Sequence, residues 1–172
     1  MTFAKKLATT LGQTSLTLVV STALLAACSG EDKAQQAADG TLLTPYLAIG
    51  DILAADKLDE LSELGAQVIK ATESRQGEPG MDAIVLGAGR IGAQDIQTSR
   101  TAFKKMSGGI IEYLAAHPDK QAGHTIVHCS MTFGGKGGLW VQKQGKIMNP
   151  YEGAMMLHCG DKLDWGAELP KS

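Results

Sequence analysis

Sulfur and imidazole crowd into one short part of this chain. The stretch from His124 to Gly160 reads HTIVHCSMTFGGKGGLWVQKQGKIMNPYEGAMMLHCG. It holds Cys129 and Cys159, two of the three cysteines, and four of the seven methionines: Met131, Met148, Met155 and Met156. It also holds His124, His128 and His158. Two clusters bracket it, His128-Cys129-Ser130-Met131 and Met155-Met156-Leu157-His158-Cys159. Thiolate and thioether are soft donors that suit copper(I) or silver(I) and serve magnesium or calcium poorly.

On a strand, Cys129 and Met131 would share a face, because side chains two apart point the same way. Met156 and Cys159 are three apart, a spacing that suits a turn. If the glycine-rich loop and the Asn149-Pro150 turn fold the stretch back, Cys129, Met131, Met156 and Cys159 form a four-sulfur set. His128, Met148, Met155 and His158 are possible additional ligands. His128 and His158 each adjoin a cysteine, and neighbours on a strand face opposite ways.

The same cysteines allow a second chemistry. In an oxidising compartment Cys129 and Cys159 would form a disulfide, closing a loop of about 30 residues that stabilises by ~3–4 kcal/mol in the chain-entropy model. The methionines would then fill a core. Both chemistries stay open on the residues alone. Nucleophilic catalysis is disfavoured, since no third group orients a cysteine–histidine pair. The chain also lacks a C-x-x-C pair for disulfide exchange. No catalytic residue is assigned, and the chain is not expected to be an enzyme.

The compartment is read from the N-terminus. Lys5 and Lys6 precede an apolar run from Leu16 to Ala27, shorter than the ~20 residues of a permanent span. It ends in Leu25-Ala26-Ala27-Cys28, which resembles the lipobox of bacterial lipoproteins, with Cys28 as the lipidated residue. Residue 29 is Ser rather than Asp, which resembles the sorting rule for the outer membrane. Residues 1–27 are therefore expected to be a lipoprotein signal peptide. The protein would face the periplasm from a lipid anchor in the cell envelope.

Cleavage removes two lysines and no acid, so the formal charge moves from −2 to −4. With no Lys/Arg cluster, this mildly acidic chain offers no footprint for nucleic acid. Residues 28–41 are polar and small and are expected to be a flexible tether. Residues 42–163 form the expected domain, and 164–172 a tail.

Elements to position the sulfurs come from hydrophobic periodicity. Leu43, Tyr46, Leu47, Gly50, Leu53 and Ala54 make one helical stripe, and Asp56 ends it. Leu58, Leu61, Leu64, Gly65, Val68 and Ile69 make a second. After the break at Gln76–Gly80, Met81, Ile84, Val85, Ala88, Ile91 and Gly92 mark a third, whose glycines oppose helix formation. A fourth runs from the N-cap Asp95 to His117, with Phe103, Met106, Ser107, Ile110 and Leu114 inward, and Pro118 stops it. The expected class is mainly α: an antiparallel up-down four-helix bundle with a small C-terminal β/loop appendage. Thr125-Ile126-Val127 and Leu139-Trp140-Val141 supply strand character there, and Asn149–Gly153 a turn.

These residues also carry a resemblance. Cys129-Ser130-Met131, Trp140-Val141, Ile147-x-Asn149-Pro150-Tyr151-x-Gly153 and Met156-Leu157-x-Cys159-Gly160 resemble the C-terminal signature of a domain of unknown function. That domain occurs in stand-alone bacterial envelope lipoproteins and at the C-terminus of periplasmic adaptor subunits of heavy-metal (copper/silver) RND efflux systems. Tyr46-Leu47 with Asp51, then Arg100-x-x-Phe103 and Ser107, are similar to its helical part, so the likeness spans roughly residues 42–163. Ser130 stands where the family pattern usually has proline, and Met148 and Met155 are extra. The resemblance implies heavy-metal handling: binding of copper(I) or silver(I), in tolerance or in delivery to an efflux adaptor. A disulfide-stapled module that docks on an efflux or envelope complex without metal is the alternative.

Overall fold

The computed structural model describes residues 31–92 and 95–171. Residues 1–27, expected to be a signal peptide, and Cys28, the expected lipidation residue, lie outside the described residues. About half of the described chain is helical: α1 (Glu31–Ala54), α2 (Leu61–Thr72), α3 (Met81–Ala88), α4 (Ile96–Ala116) and a four-residue α5 (Thr132–Gly135). The strands β1 (His124–Cys129), β2 (Gly138–Lys143) and β3 (Asp161–Leu163) form one antiparallel sheet in the order β2-β1-β3.

The fourth periodic stripe becomes α4 almost to the residue. Asp95 caps it, its Oδ1 accepting from the Gln97 and Thr98 amides at 2.8 and 2.9 Å. Phe103, Met106, Ser107, Ile110 and Leu114 are all buried, as their three- and four-residue spacing requires. α1 begins at Glu31, within the stretch expected as a tether. Lys33, Ala34, Gln35, Gln36, Ala37 and Ala38 are all good helix formers, and the helix continues through Asp39-Gly40-Thr41 into the apolar stripe. Pro45 lies inside α1 and removes one amide from its ladder.

The glycines of α3 have a packing role that propensity does not reveal. A Cβ on Gly87 would stand 2.6 Å from the Ala102 carbonyl oxygen and 2.7 Å from Met106 Cβ. A Cβ on Gly109 would meet the Gly80 carbonyl and Ile84. Bare backbone on both sides lets α3 and α4 touch directly. α1 packs on α2, α2 on α3 and α4 on α1.

The sheet lies on α4 and α1 through β2. Buried Tyr46 joins the layers: its hydroxyl accepts from the Val141 amide at 3.0 Å and shares a 2.9 Å hydrogen bond with Ser107. Burial pushes the Tyr46 hydroxyl far above its ordinary value, so it stays protonated. β3 was not foreseen. It has three residues, two of them exposed and charged, and shows no alternation that a sequence pattern would register. Its pairing with Ile126, Val127 and His128 makes β1 the central strand. Trp165, in the expected tail, donates from Nε1 to the His124 carbonyl at 3.3 Å.

Candidate metal centre

Cys129 and Cys159 meet although 30 residues separate them: their Sγ atoms are 2.6 Å apart, and both thiols are free. Cys129 is the last residue of β1 and is 1% exposed; Cys159 is half-buried. The chain leaves Cys129 through a left-handed turn. Phe133 (φ 53°), Gly134, Gly135 and Gly137 all have positive φ, a region open to glycine and costly for Phe. Contacts hold Phe133 there: its ring lies 5.1 Å from that of Tyr151, with Lys104 Nζ 4.6 Å above it. β2 then returns beside β1, placing Gly138 opposite Cys129. Any Cβ on Gly138 would strike the Tyr151 ring and Thr132 Oγ1.

Cys159 is placed by the Asn149 turn. Asn149 is fully buried, and its side chain makes three hydrogen bonds. Oδ1 accepts from the amides of Tyr151 (2.9 Å) and Glu152 (3.2 Å), and Nδ2 donates to the Cys159 carbonyl at 3.1 Å. The Asn149 amide donates to the Leu157 carbonyl at 2.8 Å. One side chain thus closes the turn and fastens the cysteine ten residues later.

The turn is clasped to the helices by a buried arginine. Arg100 on α4 donates from Nε to the Pro150 carbonyl (3.0 Å) and from Nη2 to the Leu53 carbonyl (3.2 Å) and Asp56 Oδ1 (2.6 Å). Asp56 Oδ2 accepts from the Ala154 amide at 2.8 Å. That amide, followed by the Arg100 guanidinium, holds the Asp56 carboxyl below its ordinary value. Gly153 (φ 55°) sits against the pair, where any Cβ would run into the Asp56 carboxylate and the Arg100 guanidinium.

The hydrogen bond to Cys129, then burial, pushes the Cys159 thiol up to about 11. Cys159 therefore keeps its proton at neutral pH, and a soft cation binding there must displace it.

The methionines stand differently from the strand expectation. β1 ends at Cys129, so the two-residue alternation stops before Met131, which is 63% exposed. Each of Met131 and Met156 instead lies in a turn that adjoins a cysteine. Thr132 Oγ1 donates to the Cys129 carbonyl at 3.3 Å, and the Cys159 amide to the Met156 carbonyl at 2.9 Å. Met156 is half-buried, whereas Met148 and Met155 are exposed. His158 is exposed, with Nδ1 2.7 Å from the Ile147 carbonyl oxygen. His128 is half-buried, and its Nε2 is sealed from solvent without a hydrogen-bond partner. Among the described residues no three His, Cys, Asp or Glu side chains gather into a metal-holding group. The two histidines therefore do not join the cysteines, and the nearby soft donors in sequence are the thioethers.

Asn149, Asp56 and Arg100 are the residues that sequence reasoning underused. In the sequence Asn149 reads as a turn and Asp56 as a helix end. Arg100 entered through the resemblance alone, although a charge on the inward stripe, three before Phe103 and seven before Ser107, is itself a signal that a partner waits inside. No family model, curated protein or solved structure matches this chain.

Proposed function

We propose that this protein is a lipid-anchored domain of the bacterial envelope whose reduced Cys129–Cys159 pair binds a soft ion, copper(I) or silver(I). Met131 and Met156 would add thioether donors. The role would be metal tolerance or delivery to a heavy-metal efflux adaptor. The observation that carries this reading is the adjacency of two free thiols, one of them half-exposed. The donor set fits: thiolates and thioethers prefer soft ions, and methionine has no proton to lose. Behind the site stands the scaffold, which we read as an antiparallel up-down bundle of α1 to α4, supported by the packing of each helix on the next.

The same adjacency favours a second reading, in which Cys129 and Cys159 close as a structural disulfide and the domain docks on an envelope complex without metal. Copper(I) affinity of the reduced protein separates the two. Under the metal reading, Cys129→Ser and Cys159→Ser each lose more than the ~100-fold that removal of an outer-shell partner costs. Met131→Leu and Met156→Leu lose about tenfold while stability falls by less than ~1.5 kcal/mol, since volume and apolarity are conserved. Wild-type affinity in both methionine variants would sink the four-sulfur set. Under the disulfide reading, each cysteine change costs ~2–5 kcal/mol and the methionine changes leave copper binding alone.

The anchor is tested separately. Cys28→Ala is expected to release the protein from membranes. An uncleaved variant that stays with membranes after a salt wash overturns the lipobox reading.

A further inference from the structure

We infer that the Cys129–Cys159 pair is a thiol–disulfide exchange site for low-molecular-weight disulfides, entered through Cys159. As a control on metal loading, this rests on the soft-metal reading of the same pair; as sulfur chemistry it does not depend on metal. The sequence has no C-x-x-C motif, but the fold builds the equivalent in space. Two sulfurs, one from the end of β1 and one from the turn after Asn149, stand 2.6 Å apart, near the ~2.05 Å of a disulfide bond. Closure therefore asks little of the backbone.

The two sulfurs differ in access, and this sets the order of events. Cys129 is 1% exposed at the end of the central strand, whereas Cys159 is half-buried. An incoming disulfide reaches Cys159 first. Cys159 reacts through its small thiolate fraction: its proton leaves, and its sulfur attacks one sulfur of RSSR. The RS–SR bond breaks, one RSH leaves, and a Cys159–S–S–R mixed disulfide remains. Cys129 then gives up its proton and attacks the Cys159 sulfur, expelling the second RSH. The protein loses two electrons, RSSR gains them, and the two cysteine protons leave on the two thiols. Asn149 acts as a positioning residue, because its Nδ2 bond to the Cys159 carbonyl holds that sulfur beside Cys129. The oxidised pair has no thiolate to offer, so closure excludes the soft ion.

The test equilibrates the full chain with reduced and oxidised glutathione at graded ratios, quenches in acid, alkylates free thiols and maps peptides by mass. The wild type should form the Cys129–Cys159 disulfide, with glutathione appearing transiently on Cys159. Cys129→Ser should trap glutathione on Cys159. Cys159→Ser should leave Cys129 at least about tenfold less modified. Equal modification of the two sulfurs, or no internal disulfide at any ratio, overturns the inference. The transient adduct in the wild type decides the question even if a serine variant fails to fold. Copper(I) loading of the same reduced sample separates the two readings. Disulfide formation without copper(I) binding removes the metal reading alone. Copper(I) binding without disulfide formation removes the exchange reading alone.

Discussion

Phe103→Ala is expected to destabilise the chain by ~3–5 kcal/mol, the range for deleting a fully buried ring from a packed core. Phe103 has no exposed surface and lies where three parts of the molecule meet. Its ring stacks on Tyr46 of α1 with centroids 5.0 Å apart and an interplanar angle of 11°. Tyr151 of the site turn lies tilted at 6.0 Å. The ring also closes over Gly50, where an added Cβ would stand 3.2 Å from its tip. Neighbours this closely packed cannot collapse into the space, so the cavity contribution remains on top of the lost transfer energy. Urea unfolding of the variant measures it. A loss below ~1 kcal/mol would mean that the α4 core is packed differently.

Arg100→Met is expected to cost ~2–5 kcal/mol, chiefly from the two carbonyls it leaves without a donor, since the exposed Asp56 carboxylate is rehydrated. Methionine keeps most of the stem but leaves the Pro150 and Leu53 carbonyls without their donor, each a loss of roughly 1–3 kcal/mol. Asp56→Asn should cost less, since the Asp56 side chain is 43% exposed and water can replace its partner. A pH signature distinguishes the clasp from generic packing. The Asp56 carboxyl is depressed in the folded state, so its contribution is present above the ordinary carboxylate range, near pH 4, and is lost as pH falls below it. Urea titrations at neutral and acid pH should show that acid-side loss in the wild type and a smaller one in Arg100→Met. Equal losses would mean that the Ala154 amide alone, without Arg100, sets the Asp56 carboxyl.

Much of this fold was legible where period and punctuation agree. Asp95, the inward stripe through Phe103 and Leu114, and Pro118 bound α4 without help from tertiary structure. The β-branched run before Cys129 and the Asn149–Gly153 turn were equally readable. The meeting of Cys129 with Cys159 was legible only on the condition that the glycine-rich loop and the Asn149 turn fold the stretch back. The site's outer parts were not readable, for three physical reasons. Met131 lies two residues beyond the end of β1 at Cys129, and a strand's end depends on what pairs with it. β3 exists because β1 has a free edge, which is a property of β1's surroundings. The Arg100 clasp joins residues about fifty apart, a distance over which no local pattern reports.

The contact between α3 and α4 also bears on how the molecule opens. α3 has eight residues, fewer than the ~12–15 at which an isolated helix holds in water. It survives because Gly87 and Gly109 let its backbone rest directly on α4. Separating the two would expose the Gly87 face of one helix and the Ala102–Met106 face of the other at once, with no side chain to cover either. The pair is therefore a single cooperative unit of unfolding, and the amide hydrogens of α3 should exchange with solvent at the free energy of the α4 amides. Much faster exchange in α3 would show that it frays alone. The helix pair would then be the part of the fold that keeps its shape longest as other segments open.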